Sequence, residues 1–143
     1  MTDFSTSFGQ LKSRVRDACA GQDEWPARIA AGIRGAVDFC VSNPDAAQAL
    51  VIDTRTAAGA GDYLEMVDVL AGLIDAEADS DRRSAGPSEE ALVGALAAIV
   101  AYHLRSDRLD RLEEAVPELV CLALLPYLGF EGAKGWADAT ARA

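Results

Sequence analysis

Apolar residues recur along most of this chain at intervals of three and four, the spacing that gathers side chains on one face of an α-helix. Phe4, Phe8, Leu11 and Val15 mark a first helix that fades into Ala20-Gly21-Gln22. A second, with Asp23 as its cap, carries Trp25, Ile29, Ile33, Val37 and Cys40 on its buried side and ends at Ser42. Its Arg34 and Asp38 stand four apart on a wetter side. Asn43-Pro44-Asp45 predicts a third start, because Asn can cap, Pro fits the first helical position and Asp complements the positive helix end. That short helix should run to about Arg55. After the break Ala58-Gly59-Ala60-Gly61-Asp62, the positions Tyr63, Met66, Val67, Leu70, Leu73 and Ile74 define a long amphipathic helix to near Ala78.

The stretch DSDRRSAGPSEE, Asp79 to Glu90, breaks the pattern and reads as a surface loop, with Ser88 capping the next helix and Glu89 and Glu90 in its first turn. The helix through about Arg105 and the one from about Arg111 to Tyr127 are the two most apolar of the chain. Pro117 is expected to kink or restart the second of these, and Pro126 to close it. A final short helix, Glu131 to Ala137, carries Trp136. The run LVCLALL, Leu119 to Leu125, has neither a charge nor a hydroxyl, so its helix is apolar on every face. Such a helix needs cover on all sides, from its own core, a partner chain or lipid. No segment reads as a strand, and the expected class is all-α, a single helical bundle over residues 1–143.

Composition narrows the cover. The longest uncharged run, Ala91 to Leu104, is shorter than the ~20 residues a spanning helix needs, so no membrane partner is expected. The start MTDFSTSFGQLKSRVRD is too charged for a signal peptide, and Cys19, Cys40 and Cys121 show no CxxC pairing, which together predict a reducing cytoplasm. A net charge of −10 opposes nucleic-acid binding by this chain alone and favours solubility.

The order of four segments carries a resemblance. WPARIAAGIRGAVDFCVSNPDAAQALV, GDYLEMVDVLAGLIDAEA, EEALVGALAAIVAYHL and LEEAVPELVCLALLPYLGFEGA follow one another much as in the C-terminal half of TetR-family (tetracycline-repressor-like) transcriptional regulators, which the chain resembles from about Phe8 to Ala137. The last segment, with its L-x-x-x-x-P-E-L and P-Y-L-G, resembles the closing dimer helix of that family. The family's N-terminal helix-turn-helix has no counterpart here, so a DNA reader has either been removed or was never encoded with this chain. The resemblance implies a homodimer through the last two long helices and a pocket for a small, lipophilic effector. It would place Val93, Val100, Leu119, Leu122, Leu125 and Tyr127 at the dimer interface and so supply the cover for LVCLALL. A central helix of a monomeric bundle is the competing explanation.

Effector pockets are mostly apolar with a few polar groups that fix orientation, so Phe39, Tyr63, Met66, Leu70, Tyr102 and His103 are the candidate ligand-binding residues. A Met and aromatic stripe at helical spacing is more often plain core than a ligand cage, so each is open to a core role as well. Arg55 sits where a cation suits the terminal carbonyls of a helix or, less simply, an acidic effector. The run DAEADSD lacks the ordered oxygens and glycine turn of a calcium loop. One histidine, dispersed cysteines and no GxxxxGK loop predict no enzyme, no metal and no cofactor. Two rivals stand beside the effector-binding domain: a pure dimerisation module that acts on a full-length regulator, and a small helical enzyme or carrier using the same cavity.

Overall fold

Asp3 opens the fold, its carboxylate accepting the Thr6 backbone N–H at 2.7 Å to cap α1, Phe4–Ala20. Because that bond is made to the charged form, the Asp3 carboxyl is held below its ordinary value. The computed structural model describes residues 3–56, 58–77 and 89–142, apart from the side chains of residues 75–77, and among them every regular element is helical.

Two expected caps do other work. Glu24, not Asp23, precedes α2, Trp25–Ser42, and no side chain makes the cap bond there. Asp23 instead offers its backbone carbonyl to Arg28 Nη1 at 2.6 Å. Asn43 does not cap α3, Pro44–Val51, because its side-chain amide turns back and donates to the Phe39 carbonyl at 3.0 Å, closing α2. The third helix also ends earlier than the expected Arg55. The Thr54 hydroxyl takes the Leu50 carbonyl at 2.6 Å and Arg55 Nε the Val51 carbonyl at 2.8 Å, and the chain tightens into a 3₁₀ turn, Asp53–Arg55. Gly59 is required just beyond it, since a Cβ there would lie 2.6 Å from Thr54 Cα and 2.9 Å from the Asp53 carbonyl oxygen.

Helix α4, Ala60–Glu77, begins before the expected Tyr63. The loop expected from Asp79 and its cap Ser88 lie outside the described residues, while Glu89 and Glu90 stand in the first turn of α5, Glu89–Arg105. A 3₁₀ segment, Leu109–Ala115, leads into α6, Val116–Arg142. Pro117 therefore opens α6 and does not kink it, which fits a first-turn position where no backbone donor is lost. The break falls at Gly129, at φ 72°, beyond Pro126. After it the chain stays helical to Arg142, past the expected end at Ala137, with Lys134 and Asp138 paired at 3.1 Å one turn apart.

Helix α2 is central: it packs along α1 and α6 and touches the Leu109–Ala115 segment, α3 and α4, whereas α4 lies chiefly on α5. Gly35 allows the close α1 contact, because a Cβ there would come within 3.0 Å of the Ala18 Cβ. Within LVCLALL, the side chains of Leu119, Val120, Ala123 and Leu124 are buried, Cys121 and Leu122 are half-buried, and Leu125 is exposed. The protomer's own core thus covers one side of the run. By length and composition alone the segment Leu109–Arg142 would suffice to cross a membrane; it packs on α2 and is broken at Gly129.

Candidate ligand-binding site

Where α1, α2, α4 and α5 converge, small side chains leave space. Gly32, Ala36 and Ala97 face a cavity of about 290 Å³, with Leu50 of α3 and Leu119 of α6 also in its wall. That size falls at the lower end of small-molecule sites, roughly 300–1,000 Å³, and the wall is almost wholly aliphatic. α1 contributes Leu11, Val15 and Cys19, one helical face at steps of four, and α4 contributes Met66, Leu70, Leu73 and Ile74. Among the described lining residues the charged ones are Arg16 and Arg28.

Cys40 also lines the cavity, and burial pushes its thiol up to about 12, since the thiolate would be poorly solvated there. A raised thiol pKa contributes stability below the ordinary value of 9.0, which is lost as pH rises from there towards 12. At pH 8 only about one Cys40 in ten thousand is thiolate. Iodoacetamide at that pH should therefore leave Cys40 unmodified in the folded chain and label it after unfolding in urea, as read by peptide mass mapping; rapid labelling of the folded chain would show that the thiol is not so enclosed.

Of the six residues expected to bind a ligand, Met66 and Leu70 line this cavity. Phe39 is buried elsewhere in the core, and Tyr63 is half-buried between the main core and the α4–α5 cluster, outside the cavity wall. Tyr102 and His103 lie on the outer side of α5, where with Ile99, Glu118 and Leu122 they border a groove between α5 and α6. The histidine's Nδ1 is 2.8 Å from the Ile99 carbonyl, which can only accept, so the proton belongs on Nδ1.

Three residues expected at a dimer interface, Val93, Val100 and Leu119, line the cavity, and Leu119 borders the outer groove as well. Tyr127 is buried as well, its hydroxyl donating to Glu89 Oε1 at 2.8 Å and its ring edge-on to Trp25 at 5.7 Å. Of that set Leu125 is exposed, and Leu122 and Val100 are half-buried, Leu122 at the outer groove. The exchange has a simple cause. Val93 and Tyr102 are separated by about 180° around the α5 axis at 100° per residue, and a helix with apolar residues all round gives no sign of which half faces inward.

Sequence reasoning missed Arg16, Arg28 and the α1 wall. The Leu11–Val15–Cys19 row was a usable signal, because it continues the first helix's apolar face beyond Val15 and ends beside a cation. Set against protein-family models, curated proteins and solved structures, the chain matches none.

The described residues of the wall include no histidine and no carboxylate to move a proton, and no cluster of three metal-ligating side chains occurs among the described residues.

Proposed function

We propose that this chain is an effector-sensing and dimerisation domain that takes up a small apolar molecule between α1, α2, α4 and α5, in the manner of the regulatory half of a TetR-like transcriptional regulator. The cavity carries the reading. An aliphatic hollow of about 290 Å³ in a 143-residue chain is far larger than the voids that ordinary core packing leaves. Support for the regulator comes from the order of segments in the sequence and from an all-helical fold in which α5 and α6 each contribute to the cavity and to an outer groove. A wall shared with that groove can transmit occupancy, because ligand shifts a pair of arrangements only by binding them differently. Contact with DNA would need a separate reader, given the net charge of −10.

Native mass spectrometry of gently purified protein tests both halves: the expected spectrum is two chains with a discrete small adduct. Ala97→Phe, which puts a ring into the cavity wall, should abolish the adduct while the helical circular dichroism is kept; an adduct that survives would place the ligand elsewhere and remove the reading. The exposed side chains of Tyr102, Leu125 and Phe130 favour a second reading, an interaction module that pairs with a full-length regulator. Two chains without any adduct, from several hosts, together with loss of a full-length regulator's DNA binding on mixing, would favour that one.

A further inference from the structure

None of the hydroxyl or imidazole groups expected to orient a ligand reaches the cavity, since Tyr63, Tyr102 and His103 all lie outside its wall. Aliphatic surface from four helices faces the hollow instead, with Val15 on α1, Ile33 on α2, Leu70 on α4 and Leu96 on α5. The polar groups among the described lining residues are engaged with the backbone or with solvent. Cys19 Sγ donates to the Arg28 carbonyl at 3.2 Å, and the Arg28 guanidinium donates to the Asp23 carbonyl at 2.6 Å. Arg16 is exposed, so water solvates its charge. Cys40 is buried as a protonated thiol, a weak donor. Water itself gains little from such a space, because an enclosed water needs about two to four polar partners.

We propose, resting on the cavity as the binding site, that its ligand is a neutral hydrocarbon of about ten carbon atoms, without a hydrogen-bonding group. The size follows from a hollow of about 290 Å³ at about 30 Å³ per heavy atom, water's share of its liquid. Such a body gains dispersion contact with the aliphatic walls and gives up only its own unfavourable hydration. A hydroxyl placed among the same side chains would lose its bonds to water and meet carbon, and a carboxylate would forfeit more. Selectivity in this cavity therefore comes from the polar group that the ligand lacks.

The test equilibrates the intact chain with cyclooctane, cyclooctanol and cyclooctanecarboxylate, one ring with and without a polar group. Headspace gas chromatography measures the two neutral compounds and isothermal calorimetry the third. Cyclooctane should bind at least about a hundredfold tighter than cyclooctanol, a margin beyond the roughly thirtyfold that a partly compensated hydroxyl costs. The carboxylate should bind weakest of the three. Location is read from a ¹³C-methyl methionine spectrum, in which cyclooctane should shift the signal of Met66, a wall residue, assigned by its loss in Met66→Leu. With Met66 shifting, a smaller margin over cyclooctanol, or a carboxylate that binds tighter than cyclooctanol, would overturn the hydrocarbon preference and keep the cavity as a site. Cyclooctane bound without any change at Met66 would put the ligand elsewhere and overturn the assignment. Absence of binding by all three would overturn the cavity reading itself.

Discussion

Leu124→Ala should cost the fold about 2–5 kcal/mol, and Leu125→Ala, one residue along the same helix, within about 1 kcal/mol of nothing. Both are leucines in an uninterrupted apolar run, so composition alone assigns them the same worth. The structure does not: Leu124 has no accessible surface, while Leu125 keeps 40% of its own. Removing a fully enclosed leucine forfeits the transfer energy of its methyl groups and leaves a cavity that the surrounding core, with Val120 one turn away also without accessible surface, can refill only by moving packed atoms. A domain of this size has only about 5–15 kcal/mol in hand. Urea melts at one fixed protein concentration should therefore show the Leu124→Ala midpoint falling by about 1–2.5 M, taking an m-value of about 2 kcal/mol/M. Equal shifts for the two variants would mean that α6 is rotated about its axis, with Leu125 turned as far inward as Leu124.

Those two leucines show what can be read from the sequence. The helices are legible because each apolar face recurs at three and four over many residues; α1, α2, α4 and α5 begin or end within a few positions of where the pattern puts them. Local punctuation is less legible. Asp23 and Asn43 are residues suited to a helix start, yet both bond elsewhere, because the partner of a cap is fixed by how the chain enters and not by residue type, whereas Pro117 restarts the chain as α6 after the 3₁₀ segment, one of the two outcomes expected of it. The site is the least legible part. On α4, Met66 and Leu70 lie one turn apart on the face that lines the cavity, whereas Tyr63 of the same helix lies outside the wall and Leu64 is exposed. On α5 and α6 the apolar surface runs all the way round, so Val93 and Val100 line the cavity while Tyr102, about 180° from Val93, borders the outer groove, and Leu119 of α6 touches both. Ala36 and Ala97 are small residues in the cavity wall, whereas Gly32 lets α1 approach, since a Cβ there would lie 3.0 Å from Cys19 Sγ, and such placements have no pattern of their own in the sequence.

Leu122→Asp should convert the proposed dimer into a folded monomer. Leu122 is half-buried in the protomer and borders the outer groove with Ile99, Tyr102, His103 and Glu118, one turn from the exposed Leu125. This is the side of LVCLALL that the protomer's core leaves without full cover. A two-fold interface uses the same patch on both subunits, so one substitution enters it twice. At about 2 kcal/mol for each central side chain disrupted, the dimer weakens by about 4 kcal/mol, roughly a thousandfold in Kd. The aspartate also stands near Glu118 on its own helix, where like charges repel. Leu64→Asp is the matched control: Leu64 is 65% exposed on α4, away from the groove, and its substitution should leave the assembly unchanged. Sedimentation velocity over a hundredfold concentration range reads both. A Leu122→Asp chain that sediments as a dimer would move the interface off this groove, and an intact chain that is monomeric throughout would leave the groove open to solvent and end the dimer proposal. If Leu122→Asp gives the monomer and Leu64→Asp does not, the uncovered side of the run is assigned to a second copy of the chain, because only a partner seated on that groove makes the assembly depend on Leu122.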